Sequence, residues 1–171
     1  AAFAFITRLY FKKNYTSPLK LSETVTQILS LIIPGVFVFV IYYAFRIEIE
    51  SYWNQLHIDS GDVNVPGDRY SGFYNLDYDL LRFKSIWVLN YTLFFLAILS
   101  FVNIKKIKNE LLAYVNLGLN VIVIAAFLTQ GLYVLTKLRD SYMQGDMEFF
   151  TIGIRYVSYL FVILLLVISY R

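Results

Sequence analysis

Four long apolar runs, separated by shorter polar segments, dominate the pattern of the chain. They occupy residues 25–45, 85–104, 111–136 and 149–170. A helix needs about 20 mostly apolar residues to cross roughly 30 Å of hydrocarbon, and each run meets this requirement. Because each run is apolar around its whole circumference rather than along one stripe, burial in a water-soluble core is disfavoured. The pattern predicts an all-α integral membrane fold with four transmembrane helices.

The composition supports this assignment and removes several classes of function. Hydrophobic residues make up 58% of the 171 residues and charged residues 16%, and the mean hydropathy is +0.60. The chain contains no cysteine and a single histidine, His57. These counts argue against a disulfide scaffold, a Cys/His zinc site and thiol catalysis.

The four runs define the expected organisation of the chain. We predict a cytoplasmic or interfacial segment at residues 1–24, followed by a four-helix antiparallel membrane domain at residues 25–171 with one long outer loop at residues 46–84. That loop is rich in acids, aromatics and turn-forming residues, which favours an ordered lid over a disordered linker. The apolar start AAFAFI lacks an initiator Met, and we expect it to be the stub of a preceding helix or an interfacial piece of a larger protein.

The charges predict an orientation. Basic residues cluster in the N-terminal segment and in the short KKIKNE connection at residues 105–110, whereas the predicted loop at residues 46–84 is strongly acidic. Positive charge in short connections marks the cytoplasmic side. We therefore expect a multi-pass membrane protein with both termini cytoplasmic and the loop at residues 46–84 extracytoplasmic. The net charge of +3 lies at the ends of apolar runs, so it does not indicate nucleic-acid binding.

Three polar side chains in different apolar runs form the candidate ligand site. Counted from the ends of their runs, Arg155 and Gln130 lie about 9 Å and Asn90 about 7.5 Å below the outer interface, at the helical rise per residue. A guanidinium inside an apolar helix is costly unless it reaches the interface or finds partners. We predict a polar pocket suited to an anionic lipid or carrier group. In the alternative interpretation, Asp146 or Glu148 pairs with Arg155, which then serves as an interfacial anchor.

Two further features of the apolar runs have both a structural and a functional interpretation. Asn116 and Asn120 recur at helical spacing on the third run, which predicts either hydrogen bonding between helices or an ion pathway. Pro34 and Gly35 fall near the middle of the first run and predict a kink, which is either a hinge or a static packing feature.

A metal site and a cofactor are not expected. The polar cluster at residues 57–62 offers oxygen ligands, but the order of residues departs from that of a calcium-binding loop, and turn-forming residues explain it better. The absence of His and acidic residues inside the apolar runs disfavours a proton relay or a membrane metalloprotease.

The stretch TQGLYVLTKLRDSY at residues 129–142, followed by GIRY at residues 153–156, resembles the later part of a large bacterial multi-pass membrane family of unknown function. The resemblance extends from residue 20 onward. It implies that this chain is a four-helix fragment of a longer inner-membrane protein, and it implies no catalytic residues.

These observations predict a non-catalytic membrane scaffold or ligand-binding portion of a larger protein. Its expected partners are membrane lipids and either other helices of a parent chain or further copies of itself. A transporter or channel subunit is the first alternative. The second is an intramembrane enzyme acting on lipid or glycan carriers, which would require an acid of the outer loop, such as Asp77 or Asp79, near Arg155.

Overall fold

The computed structural model of the chain describes residues 8, 23–60, 77–143 and 150–170. All regular structure in these residues is helical. The helices are α1 (Glu23–Ser60), α2 (Tyr78–Val102), α3 (Glu110–Ala126), α4 (Leu132–Met143) and α5 (Phe150–Ser169). Two π-helical segments complete the described fold: Asn103–Ile107 follows α2, and Phe127–Gly131 joins α3 to α4.

Three stretches of described helix are long and apolar enough to cross a membrane: Ile32–Ser60, Tyr78–Ile107 and Glu110–Met143. A shorter apolar helix covers Gly153–Ser169. These findings confirm an all-helical fold in the described residues, with three helices that could span a membrane.

The helices extend beyond the predicted apolar runs. Helix α1 continues for 15 residues past residue 45, to Ser60, and α2 begins at Tyr78 rather than at residue 85. The predicted loop at residues 46–84 is therefore helical over residues 46–60 and 78–84. Hydropathy identifies only the part of a helix that lipid can cover, whereas capping groups determine where the helix begins and ends. The Asp77 side chain accepts a hydrogen bond from the backbone N–H of Asp79, at 2.8 Å, and so starts α2.

The chain divides into two compact units, residues 1–47 and residues 48–171. In the first unit, Pro34 lies inside the continuous helix α1 and Gly35 beside it is exposed. The kink at Pro34 stays a prediction. The second unit contains all the packed core residues described below.

Helix α2 is the central helix of the second unit, because α3, α4 and α5 all pack against it. Apart from the adjacent pair Leu96 and Ala97, its buried residues follow one another at spacings of three and four, which places them along one face. They are Asp79, Phe83, Ile86, Asn90, Leu93, Leu96, Ala97 and Ser100. The core is completed by Val123, Phe127, Leu135, Leu138, Ile154 and Leu165 from the other helices.

Side-chain contacts give the relative directions of the helices in the second unit. Ser100 meets Asn120 while Leu89 meets Gly131, so α2 and α3 run antiparallel. Helix α5 runs in the same direction as α2, because Phe94 packs on Phe161 and Ser100 shares a partner with Ser169.

Large apolar side chains cover the outside of α3 and α5. Exposed examples are Leu111, Tyr114, Val121, Ile122, Leu160, Ile163 and Val167. A surface of this extent is typical of helices that contact lipid or other apolar helices. The second unit therefore has an apolar exterior, while its interior contains several buried amides and hydroxyls.

Candidate functional site

The connection between α2 and α3 is a compact turn held by two asparagines. The Asn103 side chain donates to the Asn109 carbonyl oxygen and accepts from the Asn109 backbone N–H, both at 3.1 Å. The Asn109 side chain in turn accepts from the backbone N–H of Leu112, at 3.0 Å, and caps α3. Lys108 completes the turn in the left-handed region, with φ of 52°.

One polar layer lies close to this turn. The Asn120 Nδ2 group donates to Ser100 Oγ at 3.2 Å and to Ser169 Oγ at 2.9 Å. These two bonds connect α3 with α2 and α5 inside an apolar bundle. We call Ser100, Asn120 and Ser169 the turn layer.

A second cross-section lies farther from the turn on the same three helices. Leu89, Gly131 and Ser158 are each eleven residues from the corresponding member of the turn layer, which corresponds to about 16 Å along a helix. A Cβ atom on Gly131 would lie 2.8 Å from Leu89 Cδ2, so the two helices are in close contact here. We call Leu89, Asn90, Gly131 and Ser158 the cap layer, because it lies toward the end of α2 that Asp77 caps.

The amide of Asn90 is the main polar feature of the cap layer. Its side chain is 0% exposed, and neither Oδ1 nor Nδ2 has a hydrogen-bond partner. Trp87, one turn earlier on α2, has a buried Nε1 atom that also lacks a partner. Ser158 is fully buried too, but its hydroxyl donates to the Ile154 carbonyl oxygen of its own helix at 2.9 Å. Asn90 is therefore the buried amide without a bond to a neighbouring helix in this layer.

The π-helical segment Phe127–Gly131 contributes Gly131 to the cap layer. A π turn inside an α-helix shifts the direction of the following helix and is frequent at functional sites. Here it brings Gly131 against Leu89, and the ring of Phe127 packs edge-on against Tyr159 at 6.3 Å between centroids. The segment thus contacts both α2 and α5 near the cap layer.

The three residues of the predicted pocket occupy different environments. Asn90 is buried, Arg155 on α5 is half-buried, and Gln130 is exposed on the outside of the unit. No hydrogen bond joins any two of them. Within the described residues, the Arg155 guanidinium has neither a hydrogen bond nor an ion pair. Asp146 and Glu148, its predicted alternative partners, lie outside the described residues.

Charged residues gather at the end of α2 beyond the cap layer. Arg82 forms an ion pair with Asp79 and a 3.4 Å hydrogen bond to Ser141 Oγ on α4. Arg139 pairs with the neighbouring Asp140 at 3.5 Å. Two arginines at this end therefore have acidic partners.

The last residues of α1 are fixed to the start of α2 at the same end. His57 Nδ1 lies 2.8 Å from the Asp77 carbonyl oxygen, and since a carbonyl only accepts, Nδ1 carries the hydrogen. The Asp77 backbone N–H donates to Ser60 Oγ at 3.0 Å. The Trp53 ring stacks on Phe83 with 5.4 Å between centroids.

Chemistry for a metal ion is not evident in this region. Among the residues that the structure describes, no three His, Asp or Glu side chains come together. Within the predicted cluster at residues 57–62, His57 and Ser60 have the structural roles given above, and Asp59 accepts from Gln55 at 2.8 Å. Residues 61 and 62 lie outside the described residues.

Sequence reasoning missed the serines of the two layers. Asn116 and Asn120 were placed on one stripe, and both are buried. Ser100, Ser158 and Ser169 were not singled out, because a serine in a membrane helix often bonds to its own backbone and carries no distinctive signal. Their spacing from Asn120 and Asn90 becomes informative only once the helix directions are known.

Comparison with known proteins adds no family. No protein-family model, no curated protein and no solved structure matches the chain. The resemblance to a bacterial multi-pass family therefore stays a prediction.

Proposed function

We propose that the chain is a non-catalytic membrane scaffold, part of a larger multi-pass protein, that holds an anionic lipid or carrier headgroup at Arg155. The observation that supports this most directly is the Arg155 guanidinium. It lies half-buried in an apolar helix and has no acidic or hydrogen-bonding partner among the described residues.

The neighbouring charges favour an external anion. Asp79 and Asp140 are engaged by Arg82 and Arg139, respectively. A cation in a membrane helix is stabilised by an acid, by the interface or by a lipid phosphate. Arg155 lies five residues after the start of α5, or about 7.5 Å along the helix, so its long side chain reaches headgroup depth.

The chemistry of arginine suits a phosphate group. Its planar guanidinium donates two parallel hydrogen bonds to phosphate oxygens, which a lysine ammonium does not reproduce. Asn90 and Gln130 have no part in this proposal, because one is enclosed in the core and the other points away from it.

The proposal is tested by measuring how anionic lipid changes the melting temperature of the purified protein. The wild type and the variants Arg155→Lys and Arg155→Gln are placed in nanodiscs of zwitterionic lipid with increasing phosphatidylglycerol. We expect the melting temperature of the wild type to rise with the anionic lipid, that of Arg155→Lys to rise less, and that of Arg155→Gln to stay constant.

The control is Arg139→Gln, which removes the same charge from an exposed arginine that already has an acidic partner. It should keep the full response to anionic lipid. An unchanged response in Arg155→Gln, or an equal loss in Arg139→Gln, would contradict the proposal.

A transporter or channel subunit is the second candidate, and the unpartnered amides of Asn90 and Asn116 favour it. A hydrated path through the unit would also have to pass Asn120, which is 2% exposed and bonded to two serines. The scaffold accounts for this closed packing more simply.

The enzyme alternative requires a free acid near Arg155. Asp77 caps α2 and Asp79 pairs with Arg82, so each candidate acid has a local structural role. This arrangement favours the scaffold over catalysis.

The proposed location is an inner membrane with both termini cytoplasmic. The turn between α2 and α3 supports this, because it exposes three lysines, Lys105, Lys106 and Lys108, in one short connection. Short basic connections are retained on the cytoplasmic side. The turn layer would then lie in the cytoplasmic half of the membrane and the cap layer in the outer half.

A further inference from the structure

The interior of the second unit contains a group of uncharged polar side chains near the turn. Asn116 lies one helical turn before Asn120 on the same face of α3, and the two are 3% and 2% exposed. The turn-layer serines complete the group. We call Asn116 together with the turn layer the amide site.

The hydrogen bonds of the amide site are incomplete. Both hydrogens of Asn120 Nδ2 go to serine oxygens, while Asn120 Oδ1 has no partner. Both polar atoms of Asn116 lack partners as well. Each serine hydroxyl accepts from Asn120 and still has its own O–H to donate. The site therefore retains free donors and free acceptors in similar number.

Leaving such groups unpaired in an apolar interior is unfavourable. A buried amide without a hydrogen bond destabilises a fold more than the bond itself would stabilise it. If the oxygen and nitrogen of the Asn120 amide exchanged positions, the oxygen would accept hydrogen bonds from the two serine hydroxyls. The amide NH2 group would then have no acceptor. Asn116 gains no partner from that exchange.

The charge of the surroundings limits what can occupy the site. Asp79 is the one buried ionisable side chain among the described residues, and it lies at the opposite end of α2. A bound ion would have no counter-charge, which makes it costly in an apolar bundle. The occupant must be neutral and must both donate and accept hydrogen bonds.

We infer that the amide site binds water, held between Asn116, Asn120 and the two serines. Buried water typically makes about three hydrogen bonds to polar groups that would otherwise lack partners. Asn116 is six residues from the start of α3, about 9 Å along the helix, and the adjoining turn is exposed and basic. Water therefore reaches the site from the turn end of the bundle.

The first test detects the water in the unmodified protein. Side-chain amide protons of asparagine are observed by NMR in protein labelled with ¹⁵N and placed in deuterated detergent, and the Asn116 signal is identified by its loss in Asn116→Leu. We expect a cross-peak between the Asn116 amide protons and water. Absence of this cross-peak would overturn the inference.

The second test measures coupling through the water. Melting temperatures are compared for wild type, Asn116→Leu, Asn120→Leu and the double variant. We expect Asn116→Leu to lower the melting temperature when it is introduced into the wild type. Introduced into the Asn120→Leu variant, the same substitution should lower the melting temperature by less than half as much.

A dry site gives the opposite result. Asn116→Leu would then raise the melting temperature by the same amount in both backgrounds, because it removes an unpartnered amide. If Asn116→Leu does not fold, Asn116→Ser replaces it in the cycle, and the NMR measurement on the wild type still decides the question.

Discussion

The turn layer and the cap layer lie on the same three helices, yet their asparagines are in opposite situations. Asn120 joins α3 to serines on α2 and α5, whereas Asn90 is fully buried without any partner. Both are asparagines inside apolar helices, and both lie toward the centre of the bundle. The contrast shows that the effect of a buried amide depends on what the neighbouring helix presents at the same depth.

The asparagines of the two layers should therefore make contributions of opposite sign to the free energy of unfolding. A hydrogen bond between membrane helices contributes roughly 0.6 kcal/mol on average, so the two bonds of Asn120 together contribute about 1 kcal/mol. A buried polar group without a partner costs about 1–3 kcal/mol. The turn layer stabilises the unit, and the Asn90 amide opposes its stability.

The largest expected effect tests how tightly the cap layer is closed. In Gly131→Val, the added Cβ meets Leu89 and Phe127 at 2.8 Å, so neighbouring side chains must shift. We expect a loss of about 3 kcal/mol in the free energy of unfolding, the upper end of the usual cost of overpacking. The measurement is chemical or thermal unfolding in a defined detergent.

The matched control for this prediction is Gly118→Val. Gly118 is exposed in the middle of α3, and a Cβ there has no neighbour within 4 Å. Because valine forms helix slightly better than glycine, this variant should be neutral or slightly stabilised. Equal losses at Gly118 and Gly131 would show that the close contact at the cap layer is not what limits the substitution.

The second prediction compares the two amides directly. Asn90→Leu should raise the free energy of unfolding by about 2 kcal/mol, because it replaces an unpartnered amide with an apolar group of similar shape. Asn120→Leu should lower it by about 1 kcal/mol, since two interhelical bonds are lost. Both variants are measured under the same unfolding conditions.

The sign of the Asn90→Leu change distinguishes two states of the cap layer. A loss of stability would mean that Asn90 has a polar partner, such as a water molecule or a ligand group, and that the two layers are alike. A gain together with a loss at Asn120 would establish the difference between them.

The sequence predicted the helical nature of the apolar runs, and three of the described helices are long enough to span a membrane. Runs of about 20 apolar residues identify helices that lipid can surround, because a helix satisfies all its backbone hydrogen bonds within the segment. Residues 46–60 mix charged and apolar positions, so they did not read as part of an apolar run. The extension of α1 to Ser60 was therefore missed. The Asp77 cap, which starts α2, resembles any other acid in a polar segment.

The candidate site was accessible to sequence reasoning only in part. The depths of Asn90, Gln130 and Arg155 could be counted along each run, but the direction in which each side chain points could not. Gln130 lies in a π-helical segment, where the usual periodicity of 3.6 residues fails. Its exposure therefore could not be predicted from its spacing to Asn116 and Asn120.

The smallest expected effect concerns the turn that borders the turn layer. Lys108 adopts a left-handed conformation, with φ of 52°, which glycine adopts without strain. Lys108→Gly should therefore stabilise the unit by about 0.5–1 kcal/mol, after the greater flexibility of glycine in the unfolded chain is taken into account. The gain should appear as slower amide hydrogen exchange at the start of α3, with no change near Asn90.

The control is Lys106→Gly, which removes the same charge from the π-helical segment Asn103–Ile107. Lys106 does not have a positive φ, so glycine there adds flexibility without relieving strain and should destabilise the unit. If both variants shifted stability in the same direction, the common cause would be the lost charge. Opposite signs, confined to the turn end of the bundle, would show that the turn backbone contributes to holding the turn layer together independently of the cap layer.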